Sequence, residues 1–574
     1  MKKTNVTSKL LALMLAAVLL FSFASCDAGM SAEDEMNYEG IVGIEGIGGT
    51  NASAPNKSEA DGNSYPYYDA EMDVNASVAA NGSLIFGPNY EWKGSEEAEG
   101  DAEIVLPGDF DPRDDEFVSP TDPNQNPTFA ENPFIDTEKN NTSTFSADVD
   151  TASYAYFRKL VNTGYSFVNL KNSGEIFRTE EFINYFKYAV KAPSAVNELF
   201  GVKTSIIPCP WNNESMLLRV TLQAEEAINE QGNNLVFLID VSGSMQSNDK
   251  LPLLKRAFAY LVDNLTEKDT ISIVTYSGRE QVVLEGCSGN KKAEILNAIN
   301  ALKASGSTNG EAGLKKAYQI AESYMIDGGN NRIIMASDGD LNVGISSISE
   351  LEDFVSGKRD QGVYLSVLGF GSGNYRDAKM EAIADNGNGI YYYIDGESEA
   401  EKVFATDLLG TLYTVAEDVK LQLEFNPDLV SSYRLIGYEN RVMANEDFEN
   451  DAKDAGEVGA SHQVTVCYEI KPVPVISEKG PVNPFVTLRV RYKNPGETLS
   501  ILNEHYVTNI ESSVSEDEKF LIAVIETCML LHDSEHIGNI TLENIVEDLE
   551  SLDLSEYPER SEFRELLKTL VGRQ

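Results

Sequence analysis

Residues 235–245 read LVFLIDVSGSM, and this stretch decides the fold. Five consecutive apolar residues, 235–239, have the length and composition of a strand that is buried on both faces. The run ends in a carboxylate, Asp240, and hydroxyls follow at alternate positions, Ser242 and Ser244. A helical pattern begins a few residues later. The stretch therefore predicts a strand–loop–helix unit that turns several oxygen atoms toward one point at the carboxyl end of a buried strand.

The same alternation of strand and helix patterns extends over residues 231–416. Apolar runs of strand length lie at 235–239, 271–276, 333–336, 363–370 and 390–394. Amphipathic helix patterns lie between or after them at 251–265, 293–302, 311–325, 348–355, 375–384 and 399–412. Continuous apolar strands separated by helices indicate an α/β domain with a doubly wound, mostly parallel sheet. The short run 281–284 fits an antiparallel edge strand.

The flanking segments have a different period. Strand-like runs occur at 202–207 and 216–222 before the α/β domain, and at 420–425, 433–438, 463–470 and 485–492 after it. We assign 135–230 to an α+β flanking region, 417–512 to a β-rich region and 513–574 to a helical region. The two β-rich parts are expected to pair into one sandwich from which the α/β domain is inserted. Asp150 is predicted to be the N-cap of a helix that starts near residue 152.

The first 134 residues are interpreted as export and tethering segments. Lys2, Lys3 and Lys9 precede an apolar run at 10–23 that is shorter than a membrane-spanning helix requires. The run ends in Phe23-Ala24-Ser25-Cys26, which resembles a bacterial lipobox, although Phe23 replaces the usual leucine. The resemblance implies a signal peptide at 1–26 and a lipid on Cys26. Residues 27–134 are predicted to be a flexible acidic tether, so the protein is expected to be secreted and lipid-anchored to the bacterial cell envelope, on its periplasmic face or at the cell surface.

The charge balance narrows the classes of partner. The chain has 92 acidic and 45 basic residues, a formal net charge of −47. Nucleic acids and anionic lipid headgroups are therefore disfavoured as partners, and a cation or a basic surface is favoured. Four histidines are present in the chain, none of them in the α/β domain. A Ser-His-Asp hydrolase built on Ser242 or Ser244 is disfavoured for that reason.

Two further oxygen-bearing residues are expected at the same edge of the sheet. Thr308 precedes the helix pattern at 311–325, and Asp338 follows the strand pattern at 333–336. With Asp240, Ser242 and Ser244 they form a set of carboxylate and hydroxyl oxygens, which hard divalent cations select. We predict bound Mg²⁺, with Mn²⁺ or Ca²⁺ as alternatives.

The composition and order of these five residues resemble the metal-ion-dependent adhesion site of von Willebrand factor A domains, and the flanks resemble the bacterial lipoprotein branch of that family. The resemblance implies that Ser242, Ser244 and Thr308 bind the metal directly. It also implies that Asp240 and Asp338 act mainly through water, and that one coordination position stays open for an Asp or Glu carboxylate of a partner protein.

These observations predict a binding protein and not an enzyme. The first hypothesis is a lipid-anchored, Mg²⁺-dependent protein-binding module for adhesion or assembly. The second is a structural scaffold of the envelope in which the metal only stabilises the fold. A phosphoesterase is a third possibility, but a single metal site with no evident general base disfavours it.

Overall fold

The computed structural model describes residues 130–193, 198–226, 231–308, 310–339, 348–371, 377–407, 413–474 and 483–573. It also describes two short strands, β1 (Ser77–Val78) and β2 (Leu84–Ile85), which pair antiparallel with each other. The predicted signal peptide, the lipidation residue Cys26 and the rest of the predicted tether up to residue 129 lie outside the described residues.

The remaining strands and the helices form three regions, which are a central α/β domain, a β-sandwich and a helical layer. The strands are β3 (Ile135–Asp136), β4 (Thr142–Ser146), β5 (Phe200–Pro208), β6 (Met216–Ala224), β7 (Asn233–Asp240), β8 (Thr270–Tyr276), β9 (Glu280–Ser288), β10 (Asn330–Ser337), β11 (Tyr364–Phe370), β12 (Tyr391–Ile394), β13 (Thr414–Phe425), β14 (Val430–Ile436), β15 (Gly456–Gly459), β16 (Gln463–Pro472), β17 (Val486–Lys493) and β18 (Ile501–Val507). The helices are α1 (Ala152–Asn162), α2 (Phe167–Lys171), α3 (Thr179–Tyr185), α4 (Leu251–Asn264), α5 (Lys292–Ala301), α6 (Gly310–Ser323), α7 (Ile348–Arg359), α8 (Asp377–Asn386), α9 (Glu397–Lys402), α10 (Glu516–Leu531), α11 (Leu542–Glu550) and α12 (Pro558–Val571).

The central region is a six-stranded sheet in the order β12-β11-β10-β7-β8-β9. All neighbours are parallel except β9, which pairs antiparallel with β8 at the edge. The predicted α/β fold class and the antiparallel edge strand are confirmed. From β7 the chain continues to β8 and β9 on one side and then crosses to β10 on the other side of β7. The carboxyl ends of β7 and β10 therefore border the crevice where ligands of such sheets bind.

The unbroken apolar run in β7 follows from burial on both faces of this sheet. Leu235, Phe237 and Ile239 lie in the apolar cluster under α4, where the Phe237 and Phe258 rings are 4.4 Å apart. Val236 and Leu238 point to the opposite face and share the cluster of α6. Full burial of one such side chain stabilises the fold by roughly 1.5–3 kcal/mol. The strand that carries the candidate site is therefore firmly fixed.

Strands from before and after the α/β domain form one sandwich. One sheet has the order β3-β14-β16-β6-β5, and in the other β13 pairs with β4, β15 and β17, with β18 at the edge. The two sheets share a single apolar core that includes Val220, Leu421, Leu423, Val464 and Val466. The expected insertion of the α/β domain into a sandwich is confirmed, since β6 pairs with β16 and β4 pairs with β13 across the insertion.

The C-terminal helices pack together with the helices that lie between β4 and β5. Aromatic rings of α1, α10 and α12 meet around Phe186, which lies 4.9 Å from Phe520 and 5.6 Å from Phe563 between ring centroids. Tyr154 of α1 is 5.0 Å from the same Phe186 ring. The predicted C-terminal helical segment is thus part of a helical layer. Within the described part of the chain, none of the helices combines the length and the hydropathy that crossing a bilayer requires.

The predicted helix cap at Asp150 is wrong. The N-cap of α1 is Thr151, and no side chain makes the capping hydrogen bond. Asp150 is buried, and its Oδ1 accepts a hydrogen bond of 2.9 Å from the backbone N–H of Tyr391 in β12. A tertiary contact with a strand about 240 residues away has displaced the local role that the sequence suggested.

Asp150 belongs to a largely buried charge cluster around Arg441, which joins the N-terminal flank, the α/β domain and the segment after β14. Arg441 lies 3.3 Å from Asp148, 3.6 Å from Asp150, 3.5 Å from Glu381 and 2.9 Å from Asp385 between charged atoms. The two aspartates before α1 belong to the N-terminal flank, the other two carboxylates belong to α8 of the α/β domain, and the arginine follows β14. Arg441 therefore pairs with four carboxylates, and Arg178 pairs with one of them, Glu381, as well.

Candidate metal centre

The polar side chains of the loop after β7 lie close together. The Oδ1 atom of Asp240 accepts a hydrogen bond of 2.7 Å from the backbone N–H of Ser242, and the Ser242 and Ser244 hydroxyl oxygens are 2.9 Å apart. The chain then enters a single 3₁₀ turn, Gly243–Gln246. Asp240 and Ser242 are buried. The loop thus brings three of the predicted ligand residues together, as the alternate spacing suggested.

A second loop is hydrogen-bonded to the first through its backbone. The Ser305 N–H donates to the Val241 carbonyl over 2.7 Å, and the Gly243 N–H donates to the Gly306 carbonyl over 3.0 Å. Gly306 has a φ of 87°, a left-handed conformation that favours glycine. Thr308 is half-buried and lies two residues after Gly306 and two residues before Gly310, where α6 begins. The structure therefore places the loop of the fourth predicted residue against the loop of the first three.

The fifth predicted residue, Asp338, lies at the same edge of the sheet. β10 is the parallel neighbour of β7, with Ala336 paired to Ile239, so the chain leaves both strands side by side. Asp338 is 4% exposed. Its Oδ2 accepts a hydrogen bond of 2.8 Å from the Lys250 ammonium group, which also donates to the Ser244 carbonyl over 3.1 Å. Lys250 belongs to no sequence motif, so its contact with Asp338 was not predicted.

Two carboxylate oxygens at this edge have no hydrogen-bond partner among the residues that the structure describes. They are Oδ2 of Asp240 and Oδ1 of Asp338, and both are buried. Burial, together with the negative charge of Asp338, raises the pKa of Asp240 to about 6. An unpaired buried acceptor destabilises a fold unless a ligand satisfies it. Carboxylate and hydroxyl oxygens are the donor set of hard divalent cations, so the residues present fit such an ion.

A separate acidic cluster lies away from this edge. Asp418, Asp454 and Glu457 can bring one oxygen each within 4.8 Å of one another. Asp454 is paired with Arg359 at the end of α7, which leads into the amino end of β11, so this cluster is at the opposite edge of the sheet. Asp418 is paired with Lys493 over 2.5 Å. Because two of its carboxylates already have cationic partners, this cluster is a weaker match for a metal ion. No sequence motif links its members.

Family models match most of the chain. Residues 234–406 match the model described as "von Willebrand factor type A domain", and residues 121–219 match one described as "von Willebrand factor". Residues 410–571 match "Uncharacterized protein YfbK, C-terminal". The first of these ranges contains all five predicted ligand residues.

Individual relatives agree with these matches. The protein YfbK of Escherichia coli strain K12 is 40% identical over 439 residues, which are 73% of this chain and 76% of that protein. The human inter-alpha-trypsin inhibitor heavy chain H3 is 24% identical over 262 residues, 41% of this chain and 28% of that protein. Among solved structures, a von Willebrand factor type A protein from Catenulispora acidiphila matches with a TM-score of 0.37 and 17% identity, covering 68% of this chain and 89% of that one.

Proposed function

The chain belongs to the von Willebrand factor type A domain family that includes YfbK of Escherichia coli, and on that premise we propose that it is a lipid-anchored, Mg²⁺-dependent protein-binding module. Ser242, Ser244 and Thr308 would hold the ion directly, and Asp240 and Asp338 would act through water. The observation that carries the proposal is a pair of buried carboxylate oxygens, Oδ2 of Asp240 and Oδ1 of Asp338, that have no hydrogen-bond partner within the described part of the chain. They belong to the sheet edge that also carries the Ser242 and Ser244 hydroxyls, whose oxygen atoms are 2.9 Å apart.

The choice of ligands determines what the site can bind. Neutral hydroxyl ligands leave most of the charge of a divalent ion uncompensated, so the ion supplies a Lewis-acidic position for a carboxylate of a partner. Without it, a partner carboxylate would meet Asp240, Asp338 and a chain with a net charge of −47. Mn²⁺ and Ca²⁺ also take oxygen ligands and are alternatives to Mg²⁺. We propose binding rather than catalysis because the α/β domain contains no histidine to serve as a general base.

Binding to carboxylate-bearing peptides is the direct test of this proposal. A library of short peptides, each with a single Asp or Glu, is selected on the immobilised chain in Mg²⁺. We expect the selected peptides to lose at least about tenfold in affinity in EDTA, in the Ser242→Ala variant, or when their acidic residue becomes an amide, because each change removes the link between ion and carboxylate. Affinity is measured by biolayer interferometry.

The matched control is Ser512→Ala, an exposed serine before α10, which should bind the selected peptides normally. Binding that persists in EDTA would contradict the proposal. A different outcome would favour the scaffold hypothesis: EDTA lowers the melting temperature, yet no selected peptide depends on its carboxylate.

The anchoring part of the proposal rests on the sequence at Cys26. In a bacterial host, Cys26→Ala is expected to abolish incorporation of radiolabelled palmitate and to move the protein out of the membrane fraction, since the cysteine thiol is the acceptor of the lipid. Ser22→Ala leaves the thiol in place and is the control. A Cys26→Ala protein that still takes up palmitate and sediments with membranes would refute lipid anchoring at this residue.

A further inference from the structure

We propose that Lys250 is an internal counter-ion that competes with the divalent cation for Asp338 and thereby sets the affinity of the site for metal. This inference rests on the proposed function, because it concerns the same ligand residues. It assigns a role to a side chain outside the set of five predicted ligands.

The position of the ammonium group carries the inference. The Nζ atom of Lys250 is 2.8 Å from Oδ2 of Asp338 and 3.1 Å from the carbonyl oxygen of Ser244, so it bridges two of the loops that build the site. The Lys250 side chain is only 14% exposed. The singly charged ammonium group of Lys250 thus already contacts Asp338 and Ser244, two of the predicted ligand residues of a divalent ion.

The path of the side chain shows that this contact is specific to the fold. Gly371, directly after β11, has a φ of 80°, and a Cβ atom at this position would collide with the Lys250 methylene groups. The absence of a side chain at 371 therefore leaves the space in which the lysine stem runs to Asp338. At its base, the Lys250 N–H donates to the Ser247 carbonyl, and its own carbonyl accepts from Leu254 in the first turn of α4.

The backbone of Lys250 is fixed, but its long side chain can rotate about several single bonds without moving that backbone. In the absence of metal, the ammonium offsets part of the repulsion between the buried carboxylates of Asp240 and Asp338. When a divalent ion is held by Ser242 and Ser244, two positive charges adjoin each other. Either the affinity for the ion falls or the ammonium leaves Asp338, and in both cases Lys250 opposes metal loading.

Two variants of Lys250 test this role in the full chain. Lys250→Met keeps most of the apolar stem and removes the charge, and Lys250→Gln keeps a hydrogen-bond donor without the charge. We expect both to bind Mg²⁺ at least about tenfold more tightly than the wild type in calorimetric titrations. In EDTA we expect Lys250→Met to melt at a lower temperature than the wild type, and Lys250→Gln to lose less, because Asp338 keeps a donor. Lys291→Met, an exposed lysine in the turn before α5, is the matched control and should change neither quantity.

The outcomes separate this inference from the function on which it rests. If the wild type binds Mg²⁺ and both variants bind it equally or more weakly, Lys250 is not a competitor and the proposed function stands. If the wild type fails to bind and the variants bind, competition by Lys250 is supported in its strongest form. If the wild type and both variants fail to bind Mg²⁺, the proposed function fails and this inference falls with it.

Discussion

The Asp240→Asn variant is expected to bind Mg²⁺ at least about hundredfold more weakly than the wild type in calorimetric titrations of the full chain. The substitution removes the negative charge at the end of β7 but retains an oxygen that can accept the Ser242 N–H hydrogen bond. The loop is therefore expected to keep its shape while the site loses its affinity. In EDTA the variant should be as stable as the wild type or more stable, because one of two neighbouring buried charges is gone.

The control for Asp240→Asn is Asp263→Asn, which makes the same change of charge at an exposed position near the end of α4. It should bind Mg²⁺ like the wild type. Wild-type affinity in Asp240→Asn would show that the ion is held elsewhere. The cluster of Asp418, Asp454 and Glu457 would then be the next place to examine by mutation.

Replacing Arg441 by methionine is expected to lower the free energy of unfolding by about 3–5 kcal/mol, because the loss of one partner leaves buried charges uncompensated. Arg441 is the ion-pair partner of Asp148, Asp150, Glu381 and Asp385, and its side chain is 12% exposed. Urea denaturation followed by circular dichroism measures the change. Arg489→Met is the matched control, since Arg489 also pairs with two carboxylates but at the surface, where we expect a loss of about 1 kcal/mol or less.

The loss of stability in Arg441→Met is also expected to depend on pH. In the folded protein, burial raises the pKa of both Asp150 and Asp385 while the Arg441 charge lowers it, so the pKa of both carboxyl groups should be higher still in Arg441→Met than in the wild type. A carboxyl group whose pKa is higher in the folded protein than in the unfolded chain binds its proton at a higher pH in the folded protein. Acidification therefore stabilises the folded state relative to the unfolded chain. The difference in melting temperature between Arg441→Met and the wild type should therefore shrink from about pH 7.5 to about pH 5.5. A difference that grows on acidification would contradict this account of the cluster.

Sequence patterns predicted the α/β sheet well because its strands are covered on both faces. The apolar run at 235–239 lies inside β7 (Asn233–Asp240), and the other runs of the domain lie inside or across strands of the same sheet. The strands β3 (Ile135–Asp136), β4 (Thr142–Ser146), β15 (Gly456–Gly459) and β18 (Ile501–Val507) were missed. In β18 most side chains are exposed or half-buried, so no apolar alternation marks it. Edge strands of this kind are defined by backbone pairing with a neighbour, which a local pattern does not record.

The candidate site, too, was predicted only in part. The sequence placed Asp240, Ser242 and Ser244 in one loop, and the structure shows their oxygens converging there; their role as ligands stays a prediction. Lys250 was missed because a lysine before an amphipathic helix is usually a solvated residue. Its contact with Asp338 spans 88 positions and depends on the order of the strands. The error at Asp150 has the same origin, since its partners lie in β12 and after β14.

The insertion of the α/β domain into the sandwich has a consequence for the order in which the chain folds. β4 pairs with residues 420–424, and β6 pairs with residues 463–470, so the sandwich has a high contact order. Every strand of the central sheet, by contrast, lies between residues 233 and 394. Contacts that are local in sequence form faster than those that close long loops, and domains generally fold as units. The domain with the candidate metal centre is therefore expected to reach its native topology first, and the sandwich closes afterwards around a folded insert.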